Sequence, residues 1–549
     1  DLKLFETTNS STLSQGLNFQ PGVRVETNCQ NCGFQQVRIN GLDGPYTQIL
    51  IDSRPVFSAL SGVYGLEQIP ASMIERVEVM RGGGSALFGS SAIAGTINII
   101  TKEPLRNSGQ LSHTITSLGG SSSFDNNTSL NASLVTDDHR AGLYIFGQNR
   151  YRSGYDYDGD GFTELPKLKN QTVGFRSYLK TSTYSKLTFE YHHMQEFRRG
   201  GDMLNRPPHE AHIAEQLQHS IDGGSLKFDY FSPDEKNRLS VFASAANTDR
   251  DSYYGPGNDP LKAYGKTTDL TAMGGAQYVH TFDKCFFMPS DLTAGLEYNR
   301  DRLKDNMWGY NRHTDQTVNI YSAFLQNEWK NDRWGILIGG RLDKHNMVDN
   351  VIFSPRANLR FNPTQNINLR LSYSSGFRAP QAFDEDMHIE NVGGTVAMIE
   401  RAKDLKEEKS QSFSVSADMY HRFGAFQTNL LIEGFYTRLT DVFVLGKPYD
   451  RGDGILVKTR SNGPGAKVMG LTLEGKVAYL SILQIQAGLT LQRSRYDEPH
   501  KWHDDAPAEK KIFRTPDTYG YFTATCTPIK PLSIALSGTY TGRMLVQRM

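Results

Sequence analysis

The stretch Tyr155-Asp-Tyr-Asp-Gly-Asp-Gly-Phe-Thr-Glu164 places carboxylates at Asp156, Asp158 and Asp160, with Glu164 available as a fourth. Alternate acidic residues with a glycine at the bend match the first half of an oxygen-rich calcium loop. The twelfth position is Lys167, so the stretch is not an EF-hand. The bland alternative is a solvated acidic loop with glycine turns. Cys29-Gln-Asn-Cys32 is most simply a small structural disulfide in an oxidising compartment. A redox pair needs a helix start beside it and a zinc site needs two more ligands. Neither is visible, and metal capture and free thiols stay open. Cys285 and Cys526 fall at turns on distant strands and are not expected to pair. His209 and His212, with His219 nearby, have the spacing of two ligands on one helical face, for a metal or haem iron. Exposed loop histidines are equally common. No His-Glu-x-x-His and no nucleophile with a base stands out, so no catalytic residue is expected and the chain is not read as an enzyme.

The elements that position these residues are strands. The chain has 549 residues with 59 Lys+Arg against 59 Asp+Glu, a balance that gives no reason to expect a nucleic-acid partner. No window holds ~18 consecutive apolar residues, which excludes a helical membrane protein. Hydrophobic residues at 38% exclude disorder. The 51 Gly, 29 Phe and 26 Tyr suggest many strands joined by many turns. Residues 1–104 are mixed: short strands at Thr47–Ile51 and Glu75–Val79 alternate with helical stretches such as Gln68–Ile74. From about Asn107 the pattern is period two over long segments, as in Leu187-Thr-Phe-Glu-Tyr191 and Ile367-Asn-Leu-Arg-Leu-Ser-Tyr373. One face of each strand is apolar and the other polar, as in strands that separate lipid from water.

The connections alternate in length. Tight ones such as Thr136–His139 and Ser232–Glu235 are followed by long ones such as Arg152–Pro166, Arg198–Glu215, Asp251–Gly265, Lys304–Asp315, Gly376–Glu408 and Gly446–Lys467. An outer-membrane barrel has this asymmetry, with turns in the periplasm and loops outside. The fold class is therefore an all-β transmembrane barrel over residues 105–549, with a small α/β domain at 1–104. About 19 strands can be counted. Barrels of this size have even numbers and plugged transporters ~22, so the C-terminal strands are expected to be missing from this chain.

The first hundred residues resemble the plug domain of TonB-dependent outer-membrane receptors. Leu17–Val25, Val37–Leu42 and Ile49–Ser53 carry the likeness. So does the long run Ile69-Pro-Ala-Ser-Met-Ile-Glu-Arg-Val-Glu-Val-Met-Arg-Gly82, which continues through Ser85–Gly89 to Ala94–Thr101. Gly83 stands where the family often has Pro. In the barrel, Gly376-Phe-Arg-Ala-Pro380 is similar to the family.

The resemblance implies a plug inside a 22-stranded barrel of the bacterial outer membrane. It also implies import of a scarce, bulky metal-chelate nutrient, driven by TonB from the periplasmic side. A TonB box is not evident before Asp1-Leu2-Lys3 and is expected outside these residues. The plug's apical segments resemble those of cobalamin transporters and place ligand contacts at Asn28, Gln30, Asn31, Phe34 and Gln35, and at Ser58, Leu60, Ser61 and Tyr64. Cobalamin transporters of this family carry calcium-binding aspartates in the region of Asp156, which makes cobalamin the leading nutrient. Haem or a ferric siderophore is the alternative, and a passive porin or adhesin a weaker one. Outer-membrane lipid and a surface lipoprotein are the further partners considered. Arg76, Arg81, Glu75 and Glu78 are expected to pair with the barrel wall and hold the plug.

Overall fold

The computed structural model describes residues 2–8, 10, 12–29, 33–53, 71–81, 93–256, 263–392, 395–501, 507–530 and 532–546. Two short helices, α1 (Leu2–Thr7) and α2 (Leu13–Leu17), open the chain. A hairpin follows, of β1 (Val23–Cys29) and β2 (Phe34–Ile39). Then β3 (Thr47–Ile51), β4 (Ile74–Arg81) and β5 (Gly95–Thr101) form a three-stranded sheet with β5 in the centre, parallel to β3 and antiparallel to β4. The central strand reads Gly-Thr-Ile-Asn-Ile-Ile-Thr and is buried along almost its whole length, as expected of a strand covered on both faces. Of the helical stretch expected at Gln68–Ile74, the described part is a single 3₁₀ turn, Ala71–Met73, and Ile74 already belongs to β4. The β-branched and apolar alternation of Ile74–Val79 prevails over helix propensity there.

The rest of the described chain is β6 (Ser108–Ser117), β7 (Phe124–Val135), β8 (Ala141–Arg152), β9 (Lys167–Ser182), β10 (Ser185–Gly201), β11 (Ile213–Phe231), β12 (Asn237–Pro256), β13 (Tyr264–Cys285), β14 (Met288–Met307), β15 (Arg312–Lys330), β16 (Trp334–His345), β17 (Ile352–Thr364) and β18 (Ile367–Arg378). It continues with β19 (Glu390–Val392), β20 (Thr395–Arg401), β21 (Glu408–Phe423), β22 (Phe426–Thr440), β23 (Phe443–Leu445), β24 (Tyr449–Asp450), β25 (Leu456–Asn462), β26 (Ala466–Tyr479), β27 (Leu483–His500), β28 (Glu509–Lys511), β29 (Thr518–Ile529) and β30 (Leu532–Thr541).

Twenty of these, β6–β18, β21, β22 and β26–β30, follow one another around one closed barrel. The three-residue β28 touches β27 at two positions, while β27 pairs directly with β29, so nineteen members are full staves. That agrees with the sequence count of about 19, and the twenty-two implied by the resemblance are not reached in these residues.

The barrel is inside-out relative to a soluble protein. Leu296, Tyr321, Ile338 and Phe353 are more than half exposed on its outer face. The lumen carries charge: Arg341 pairs with Glu297 at 2.7 Å and Asp343 at 2.9 Å, and Arg150 with Asp125 at 2.6 Å. Period-two alternation sends each polar set inward and each apolar set to lipid. Rings gather at the short-turn end, where Phe287 stacks on Trp329 at 5.6 Å and Trp334 on Phe361 at 4.3 Å.

The long connections are partly strand. Lys304–Asp315 is almost wholly β14 and β15, turning through the 3₁₀ segment Trp308–Tyr310. Tyr310 is buried and donates to the Tyr254 carbonyl at 2.8 Å, which packs the turn against β12. Two loops build a sheet of their own, β19-β20-β25-β23 with β24 beside β25, in which β20 and β25 are parallel.

Candidate functional site

The plug sits in the lumen and is tied to the wall by charge and hydrogen bonds. Arg81 grips Glu433 of β22 through two contacts of 2.8 Å. Arg176 of β9 binds Asp52 and Thr101 of the plug and Glu190 of β10, the last at 3.0 Å. Lys186 reaches Glu103 at 2.9 Å. Tyr519 donates to the Gly22 carbonyl at 3.1 Å and Tyr144 to that of Ser72 at 2.7 Å. Of the four charged residues of β4 expected to hold the plug, only Arg81 pairs with the wall in this way. Arg76 and Glu78 pair with each other at 2.9 Å and stay half-exposed, while Glu75 is exposed. Arg76 and Glu78 lie on the opposite face of β4 from Arg81, and Glu75 falls at the register shift between Ile74 and Arg76.

Above the plug, the external ends of the strands form a buried polar network around Arg378, the arginine of Phe377-Arg-Ala-Pro380. Its guanidinium pairs with Glu385 at 2.5 Å and Glu408 at 3.6 Å. It also lies 5.6 Å from the ring of Tyr46, 4.3 Å from Phe383 and 5.1 Å from Phe443. Tyr46 belongs to the plug and donates to Glu408 at 2.8 Å. Burial, and next the charge of Glu408, push its phenol well above the usual tyrosine range, so it stays a donor. Arg460 of the loop sheet completes the chain, 3.1 Å from Glu385 and 2.9 Å from Asp386. Burial acts to raise the Glu385 carboxyl, but Arg378 and Arg460 together hold it below the usual range. Asp384 meets Arg250 of β12 at 2.6 Å. Burial lifts its carboxyl to about 6 against that pull. Arg378 and Tyr46 thus join the plug, the barrel rim and the external sheet. The sequence offered one signal for this, the resemblance carried by Gly376-Phe-Arg-Ala-Pro380.

Arginines dominate the rim. Arg150, Arg198, Arg199 and Arg250 are among the largest fully buried side chains. Arg198 pairs with Glu196 at 2.7 Å and donates to the Gly33 carbonyl at 3.4 Å, which brings the start of β2 to the external half of the barrel. Arg199 hydrogen-bonds to the carbonyls of Gly200 and Asp202. Arg401 donates to Gln316 at 2.8 Å and to the Pro380 carbonyl at 3.0 Å.

The sequence-derived residues divide. Asn28 and Cys29 end β1, and Phe34 and Gln35 begin β2. The Gln35 Oε1 atom is buried and has no partner among the described residues. Gln30, Asn31, Cys32, Ser58, Leu60, Ser61 and Tyr64 lie outside the described residues, and with Cys32 the disulfide does too. Cys285 and Cys526 are both free, as expected of residues on distant strands.

In the loop 153–166, Asp156, Asp158 and Glu164 bring carboxylate oxygens within 4.8 Å of one another. Asp160 does not join them; it accepts from the Phe162 amide at 2.8 Å. The bridge Tyr155–Leu165 closes the loop, and Gly159 and Gly161 turn it with φ of 79° and 94°, which favour glycine. Asp156 accepts from the amides of Gly159 and Gly161 at 2.7 and 2.9 Å. An oxygen cluster of this kind suits a hard cation such as calcium.

The histidines separate. His209 meets Tyr264 at 3.0 Å, His212 meets Asp202 at 2.6 Å, and His219 lies buried near Glu196. They do not converge because His212 precedes a strand and not a helical turn, so spacing by three does not place them on one face.

Two family models match, the TonB-dependent Receptor Plug Domain over residues 2–96 and the TonB dependent receptor-like beta-barrel over residues 95–543. The chain belongs to the TonB-dependent receptors. Proteins of this family reside in the outer membrane, and its members are receptors and not enzymes. Among its relatives, the vitamin B12 transporter BtuB of Vibrio vulnificus is 23% identical over 396 residues, which is 69% of this chain and 59% of that protein. The ferric enterobactin receptor of Pseudomonas aeruginosa is 36% identical over 107 residues, 17% of this chain and 14% of that one. Among solved structures, the siderophore receptor PirA of Acinetobacter baumannii superposes with a TM-score of 0.80 at 18% identity, covering 99% of this chain and 85% of that one. A variant of the Pseudomonas aeruginosa ferric enterobactin receptor PfeA, in complex with enterobactin, gives 0.75 at 18%, covering 98% and 92%. These superpositions establish a shared fold.

Proposed function

We propose that this receptor imports an anionic ferric siderophore across the outer membrane, with energy delivered by TonB from the periplasmic side. One observation carries the choice of ligand. Arg199 and Arg401, at the external rim, are hydrogen-bonded to neutral acceptors only among the described residues. Neither makes a direct ion pair among those residues, with Asp202 and Asp386 acting on them only from a distance, and a guanidinium field favours a negatively charged chelate over a neutral one. The likeness to siderophore receptors supports the same reading. The test is a side-by-side titration of the purified receptor with a ferric catecholate, cobalamin and haemin. The ferric catecholate is expected to bind tightest, and Arg199→Ala or Arg401→Ala to weaken it about tenfold each. Cobalamin binding more tightly, and indifferent to both substitutions, would sink this reading.

Cobalamin remains the second reading, favoured by the carboxylates of Asp156, Asp158 and Glu164 and by the BtuB match. Calcium would gather the three groups at ~2.3–2.6 Å and order the loop before a ligand arrives. Calorimetry is expected to find one calcium per chain with a Kd of ~10⁻⁴–10⁻³ M. Asp156→Asn combined with Glu164→Gln is expected to abolish it, and Asp160→Asn to change it little. Equal binding by the wild type and the double variant means a solvated acidic turn.

A further inference from the structure

The outer wall of the barrel carries a groove that the transport reading does not use. It has a volume of about 630 Å³ and lies across β13–β16, lined by Gly274, Ala276, Leu296, Tyr298, Tyr321 and Leu342. Its walls face lipid: Leu296 is 66% exposed, Tyr321 60% and Leu342 48%. The hollow exists because Gly274 and Ala276 stand opposite Tyr298 and Leu296 in the β13–β14 ladder, small against large. Tyr298 and Tyr321 face each other across β14 and β15 with ring centroids 4.9 Å apart, and Lys344 is next in the row, opposite Tyr321.

Directly above the groove the outer face changes to cationic. Strand β14 climbs from the short turn at 286–287 to the external end at Met307, and its outward positions after Leu296 and Tyr298 are Arg300, Arg302 and Lys304. Its inward positions Leu303 and Asp305 are buried, which fixes the alternation. Arg302 lies four residues beyond Tyr298, ~13 Å along the strand toward its external end.

Arg300 and Arg302 have no carboxylate partner among the described residues. Of the acidic groups on this outer face, Asp315 pairs with Lys304 of the same row at 3.9 Å, Asp249 accepts from Asn247 at 3.0 Å, and Asp251 stands opposite Lys266 in the β12–β13 ladder. Lys344 donates only to the carbonyls of Val348 and Asp349, at 3.0 and 2.8 Å. Cations at the external end of a lipid-facing wall attract anionic headgroups, by about 1 kcal/mol for each Lys or Arg near the surface.

We propose that this face binds one phosphorylated, acylated glycolipid of the outer leaflet. An acyl chain occupies the groove over Gly274, and phosphate sits among Arg300, Arg302 and Lys344. The external position of the cations selects the outer leaflet, and the clustered positive charge over an apolar groove selects a lipid with more than one negative charge.

Native mass spectrometry of the detergent-purified receptor tests this, with three probes: a bisphosphorylated hexa-acyl glycolipid, the same lipid without phosphates, and phosphatidylethanolamine. The wild type is expected to retain one bisphosphorylated lipid per chain and neither of the others. Arg300→Ser with Arg302→Ser is expected to weaken retention about thirtyfold. Arg300→Lys with Arg302→Lys should keep most of it. Gly274→Leu is a second route to the same loss: a Cβ there comes no closer than 3.8 Å to its nearest neighbour, the Phe242 carbonyl oxygen, so the strand accepts the side chain while the groove fills. Heat-modifiable gel mobility establishes that each variant is folded. Equal retention of the dephosphorylated glycolipid or of phosphatidylethanolamine, or retention unchanged in the Ser and Leu variants, overturns the proposal.

Discussion

Replacing Arg378 with Ala is expected to uncouple the external loop sheet from the plug. The substitution leaves Glu385 and Glu408 without their shared guanidinium and removes the cation from the rings of Tyr46, Phe383 and Phe443. Breaking a buried ion pair from one side costs about 3–5 kcal/mol, because the remaining charge stays desolvated. The barrel ladders do not depend on this group, so the loss should be local. Hydrogen exchange is expected to rise in residues 379–407 and 441–465, and at the plug strand Thr47–Ile51, with the rest of the barrel unchanged. Arg378→Lys should recover part of the protection, since an ammonium pairs with one carboxylate but does not reproduce the planar contacts. Exchange unchanged throughout would show that the loop sheet holds itself in place without the arginine.

The second large effect is expected at the plug's anchors. Glu433→Ala removes the carboxylate from Arg81, and Arg176→Ala removes the guanidinium shared by Asp52, Glu190 and Glu103. The two sites lie on β22 and β9, far apart around the wall, so their effects should add. At about 3–5 kcal/mol each, the double variant loses much of what fixes the plug against the lumen. Planar-bilayer recordings should then show channel openings at urea concentrations where the wild type stays closed. The barrel itself should keep its heat-modifiable mobility. A double variant as closed as the wild type would assign plug retention to the apolar contacts of Tyr144, Phe146, Phe435 and Val468 instead.

How much of this was legible in the sequence follows from the range of each interaction. Period-two alternation is local, so the barrel class, about 19 staves and the contrast of short and long connections could be read directly. The plug was legible because the run from Ile69 to Thr101 is long and ordered. The acidic loop was legible in part: spacing proposed four carboxylates, and the backbone turns at Gly159 and Gly161 bring together three, leaving Asp160 bonded to its own loop.

Partners distant in sequence were not legible. Arg81 and Glu433 are 352 residues apart, Tyr46 and Glu408 362. Alternation says only that each points inward, and the seating of the plug in the lumen decides which wall residue it meets. The loop sheet was hidden for the same reason, since β20 and β25 pair in parallel across more than fifty residues, and such a pairing leaves no local signature. The His209 and His212 reading failed because spacing by three has meaning only on a continuous helix, and His209 sits in a single 3₁₀ turn that ends at Glu210, before β11 begins at Ile213. The sequence by itself determined which face of each strand is polar. The tertiary structure alone decided which polar groups neutralise one another, because neutralisation depends on the closure of the barrel around the plug.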